Sequence, residues 1–149
     1  MSPVVLRTVA RMMTPVLLLL SLVMLVRGHN APGGGFVGGL LAVSAFFLYF
    51  IASDVKTVQR LVRVHPVILM AVGLLIIMGS GTLPMLFGRP FLTGLWTRVS
   101  GPWGGEIDLG TPLLFDLGVY LVVFGTTLSF ILSMEKGSEE DEDNERSGA

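Results

Sequence analysis

The 149-residue chain has no cysteine, only two histidines, and charged side chains at just 14% of its positions. Without cysteine, neither a disulfide framework nor a thiolate metal site can form. His29 and His65 are too few for a histidine-rich metal centre, and no other cluster of side chains implies a bound metal or cofactor. Catalytic combinations are missing too. A serine hydrolase needs a base and an orienting acid beside its nucleophile, yet the two histidines are expected on opposite faces of the apolar layer. The run "GHNAPGGGFVGG" is not followed by "GKS" or "GKT", so it does not match a phosphate-binding loop. No basic and aromatic platform points to nucleic acid. The expectation is a protein without enzymatic chemistry of its own.

What the chain has in abundance is apolar surface. Hydrophobic residues make up 52% of it, and its mean hydropathy is +0.75, outside the usual soluble range. Crossing about 30 Å of hydrocarbon takes roughly 20 helical residues, and four stretches approach that length: 12–26, 36–52, 66–88 and 113–133. The first is short, but Val4 to Val9 extend it if Arg7 and Arg11 snorkel to the headgroups, and Pro15 is a candidate kink. A signal peptide is the rival reading of this start, but "VRGHNAP" lacks a small-x-small cleavage site. The fold class expected is therefore an all-α integral membrane protein: residues 1–134 form a four-helix transmembrane domain, and no convincing strand pattern accompanies it.

Lysine and arginine counts set the orientation, because basic loops stay in the cytoplasm. Four spans put both termini on one side, together with Arg7, Arg11, Lys56, Arg60, Arg63, Lys136 and Arg146; Arg27, Arg89 and Arg98 fall on the other. Both termini are expected to be cytoplasmic. Trp96 and Trp103, in the loop before the fourth span, suit an interfacial belt. The connector "SDVKTVQRLVRVH" separates Lys56, Arg60 and Arg63 from Val55, Val58 and Val62 around a helix, as a basic amphipathic segment at the membrane surface would. Residues 135–149 hold seven acids against Lys136 and Arg146 and read as a disordered acidic cytoplasmic tail.

Polar residues in or beside the spans are the functional candidates. Asp116 stands out, since an acid within a span normally faces protein or water. It is open between a carboxylate that anchors helices and one that senses or passes cations. Tyr120, one turn on, shares its face and is a candidate partner through a hydrogen bond or shared water. Glu106 and Asp108 lie in a glycine-rich loop and read as wet surface acids. In the glycine run, Pro32, Gly33, Gly34 and Gly35 suit a sharp turn. Gly38, Gly39 and Ala42 continue a small-residue face, with Gly35 and Ala45, that lets another helix approach at backbone distance. His29 and Asn30 are candidates to cap helix ends or to line a hydrated ion route.

Two stretches, "GHNAPGGGFVGGL" (28–40) and "TPLLFDLGVYLVVFGT" (111–126), resemble the signature segments of the MrpB/MnhB family, one of the component types of the Mrp (also Mnh or Sha) multisubunit Na+/H+ antiporters. The resemblance spans about Met12 to Ser133. It implies a multi-pass membrane component of a prokaryotic cytoplasmic membrane that works with large antiporter-like subunits and other small membrane subunits to exchange sodium for protons. In that family the lysine and glutamate chains belong to the large subunits, and no lysine lies within a span here. Two alternatives stay open: a purely structural adaptor in a related complex such as a membrane-bound hydrogenase, and an independent small transporter or channel.

Overall fold

The computed structural model describes residues 3–28, 32–52, 65–100 and 106–147. Four helices dominate: α1 (Pro3–Arg27), α2 (Gly35–Ala52), α3 (Pro66–Thr82) and α4 (Thr111–Ser147). Each contributes to a stretch long and apolar enough to cross a membrane, namely Val5–Arg27, Gly35–Ala52, Pro66–Phe87 and Thr111–Ser133. Many large apolar side chains on these stretches are exposed, as hydrocarbon or neighbouring membrane helices permit and water would not.

α1 passes through Pro15 without a break. The proline removes one backbone donor, and Thr14 Oγ1 beside it donates to Ala10 O (2.8 Å) and reaches Ala45 O on α2 (3.4 Å). α1 and α2 run antiparallel, and their register is read from three links. Gly34 N donates to Met24 O (2.9 Å), Ser21 Oγ to Gly38 O (2.8 Å), and Arg7 Nε to Ala52 O (3.2 Å). Arg7 thus neutralises the carbonyl end of α2, where positive charge is stabilised, in addition to sitting near a membrane boundary.

The helices pack in the row α1, α2, α4, α3, so α2 and α4 lie inside and α1 meets α4 only briefly. Glycine sets the spacing on both sides of α4. Gly73 of α3 and Gly118 of α4 face each other so closely that a Cβ on either would lie 2.7 Å from the other's carbonyl oxygen. α2 and α4 run parallel, because Gly35 meets Asp116 and Gly39 meets Tyr120 and Val123 further along. Phe124 closes this seam, edge-on to Phe46 (5.1 Å between ring centroids) and stacked on Tyr120 (6.4 Å).

Two expectations are corrected. The loop before α4 contains strands: β1 (Trp96–Ser100) pairs antiparallel with β2 (Glu106–Gly110), with Trp96 opposite Gly110 and Ser100 opposite Glu106. An isolated two-stranded ribbon is marginal, and this one is tied to α4 by Thr111 N to Leu95 O (3.0 Å) and Leu95 N to Thr111 Oγ1 (3.1 Å). The other correction concerns the acidic tail, since helical backbone continues through it to Ser147. Extending an existing helix avoids the nucleation cost, and glutamate, lysine and arginine are good helix formers. At the third span, α-helix gives way after Thr82 to a 3-10 turn (Leu83–Phe87) around the buried Pro84, and Gly88 ends it in the left-handed region (φ 68°).

Candidate functional site

The two signature stretches meet in space. Both α2 and α4 start at the same end of the bundle, and the turn that leads into α2 presses on the first turns of α4. Gly34 has φ 100°, a conformation that side chains rarely tolerate. A Cβ there would lie 3.3 Å from Asp116 Oδ1. At Gly35 a Cβ would overlap the carbonyl group of Asp116 itself. The glycines are therefore required by contact with one particular residue, as well as by the turn.

Asp116 is half-buried. Its side chain lines a cavity of about 360 Å3 together with Gly28, Ser80, Leu92, Gly94, Thr111, Pro112 and Phe115. Ser80 and Thr111 are buried polar walls. Ser80 donates its hydroxyl proton to Ile77 O (2.9 Å), and the Thr111 hydroxyl oxygen accepts from Leu95 N. Among the described residues, no side chain or backbone N–H donates to the Asp116 carboxylate. A half-buried carboxylate without a protein donor needs water, a proton or a cation in the adjoining space. Among the described residues, the cavity is lined by one acid and no base, an arrangement that can hold a single ion. Leu92, which forms part of its rim, has φ 61°. A leucine in the left-handed region is uncommon and strained.

Tyr120 is placed differently from the expectation. Its hydroxyl lies 3.0 Å from Ser21 Oγ on α1, and Ser21 donates its single proton to Gly38 O, so the tyrosine is the donor of the pair. Tyr120 is consequently committed to α1 and not to Asp116. The two bonds end at a backbone carbonyl that has no proton to pass on, which makes them a clamp joining α1, α2 and α4 rather than a relay. Ser21, fully buried, is absent from the sequence candidates, though a lone serine in "LLLLSLVML" is a signal that could have found it. Removing either partner, Ser21→Ala or Tyr120→Phe, is expected to cost about 0.6–1.7 kcal/mol. The double variant should cost less than the two together; additive losses in mixed-micelle unfolding would mean that the hydroxyls do not interact.

Of the remaining candidates, Pro32 is exposed at the turn, Gly33 is half-buried beside it, and Gly38, Gly39 and Ala42 are buried. A Cβ on Gly38 would lie 2.9 Å from Ser21 O, and one on Gly39 would lie 3.0 Å from Val123 Cβ. Gly38 thus serves the α1 contact and Gly39 the α4 contact. His29 and Asn30 lie outside the described residues, as do the connector 53–64 and Trp103. His65 precedes α3 with an extended backbone and makes no side-chain cap. No group of three or more metal-ligating side chains occurs among the described residues.

Known proteins are similar in sequence to nearly the whole chain. Residues 5–129 match the model of a family described as a domain related to the MnhB subunit of Na+/H+ antiporter. A Na+/H+ antiporter component of this type from Bacillus subtilis is 41% identical over 139 residues, covering 93% of this chain and 96% of that one. Its counterpart from Alkalihalophilus pseudofirmus is 39% identical over 133 residues, covering 89% and 92%. Among solved structures, a chain of the Mrp complex from a Dietzia species superposes with a TM-score of 0.71 at 39% identity. That match covers 83% of this chain and 13% of the other, so there the fold is one part of a much longer polypeptide. Four apolar spanning helices, the matched family and these relatives together make the chain a multi-pass cell-membrane protein belonging to the MnhB family.

Proposed function

We propose that the chain is a membrane component of a multisubunit Na+/H+ antiporter, assembled with large antiporter-like and small membrane subunits, and that Asp116 lies on the cation route. The observation that carries this reading is the half-buried carboxylate facing a cavity with no protein donor among the described residues. A hydrated cation or a proton supplies the missing partner. The chain performs no covalent chemistry in this account. Ion coupling falls to the other subunits, because among the described residues the cavity offers no second titratable site with which to alternate. Both termini face the cytoplasm, following the basic residues.

Deleting this chain alone from its host is expected to abolish Na+/H+ antiport in everted membrane vesicles, with recovery on re-expression. Unchanged antiport in the deletion strain would contradict the reading. The natural absence of cysteine makes the topology simple to check: a single cysteine added after Ser147 should react with a membrane-impermeant maleimide only in everted vesicles.

A further inference from the structure

Beside the Asp116 cavity, two open grooves meet at the end of the bundle that carries the hairpin. One, of about 560 Å3, is walled mainly by Leu83, Phe87, Leu95, Leu109, Leu113 and Leu114. The other, of about 580 Å3, is more polar and carries the exposed Arg89 with Trp96 and Thr97. Phe87, Leu95 and Thr97 wall both, so the two form one continuous amphipathic trough. Each volume falls in the range of about 300–1,000 Å3 typical of ligand sites.

The trough's position says which part meets what. Phe87 is the last residue of the span Pro66–Phe87, and Leu114 lies in the first turn of the span Thr111–Ser133. The apolar arm therefore opens where hydrocarbon ends. Phe87 is 69% exposed and its neighbour Leu86 is 82% exposed, large apolar surfaces that water would penalise. Arg89 follows two residues beyond the span. A guanidinium fork matches phosphate oxygens in two-point geometry, and tryptophan favours the headgroup level.

We propose that this trough is a binding site for a phospholipid with an anionic headgroup, an acyl chain occupying the leucine-walled arm and the phosphate resting against Arg89. The trough adjoins the Asp116 cavity through Thr111 and Gly94 but does not include Asp116, and the proposal does not depend on the antiport reading. Its chemistry selects for the lipid as a whole, because one arm without the other would hold either a neutral hydrocarbon or a free anion.

Native mass spectrometry tests this on the full-length chain purified with the membrane subunits that accompany it, using phosphatidylglycerol and phosphatidylcholine of identical chains. Wild type should retain phosphatidylglycerol preferentially. Arg89→Gln should lower that preference about fivefold, the worth of one basic side chain near a membrane surface. Thr97→Trp, which fills the wall common to both arms, should lower retention of both lipids. A photo-crosslinker at residue 97 in native membranes should yield lipid adducts. Unaltered lipid retention in both variants would overturn the proposal. So would glycerol phosphate competing as well as the intact lipid, or crosslinks to a protein segment in place of lipid.

Discussion

Asp116→Asn lowers Na+/H+ antiport in everted vesicles by roughly 10- to 100-fold, with the amount of assembled complex unchanged. The magnitude follows from interactions with a charged group, worth about 1.5–3 kcal/mol, at about 1.4 kcal/mol per factor of ten. The carboxamide has nearly the volume of the carboxylate, so the close approach to Gly34 is retained and only the charge is lost. That separates transport from packing. Two helix N-termini, those of α2 and α4, converge beside Asp116, and such ends stabilise negative charge. If that stabilisation is the residue's whole purpose, the asparagine variant will instead reduce complex abundance while the remaining complex transports normally. Measuring abundance and antiport on the same membranes distinguishes the two.

Gly35→Ala removes the assembled complex almost entirely, although it adds a single methyl group. The new Cβ would overlap the backbone carbonyl of Asp116, and backbone cannot rotate away as a side chain can. α2 and α4 would have to separate, breaking the Gly39 contact that follows along the same helix. Overpacking typically costs about 1–3 kcal/mol, more where nothing can yield, and a loss above about 3 kcal/mol lowers the folded ratio more than 100-fold. Gly79→Ala is the matched control. Nothing lies within 4 Å of a Cβ there, so the exchange should be neutral or stabilise α3 by up to about 1 kcal/mol. Equal abundance of the Gly35→Ala and wild-type proteins would show that the glycine turn does not hold α2 against α4.

The four spans were legible in the sequence because hydrocarbon imposes a length and a composition that local residues must satisfy. The small-residue face of α2 was legible for a related reason, since Gly35, Gly38, Gly39, Ala42 and Ala45 repeat at helical spacing and all are buried. Which helix each glycine would face was not legible. That depends on the row order α1, α2, α4, α3, and no local pattern encodes it. The same gap explains Tyr120. One turn of helix made Asp116 its obvious neighbour, whereas its actual partner, Ser21, lies 99 residues away in sequence. The hairpin escaped notice because "WTRVS" and "EIDLG" are too short for period-two alternation to stand out, and "GPWGG" between them reads as loop. In the tail, charge density pointed to disorder, while the helix propensity of the same residues agrees with the helical backbone through Ser147. Asp116 was singled out from sequence as a candidate, and the cavity it lines came only with the fold, from segments as distant as Gly28, Ser80 and Gly94.

The most direct test of the central claim is affinity purification of the tagged chain from its native membrane in mild detergent, with mass spectrometry and native mass determination. The account predicts recovery with large antiporter-like subunits and several small membrane proteins in one assembly. Recovery alone, or as a homo-oligomer under conditions that preserve other membrane complexes, would contradict it.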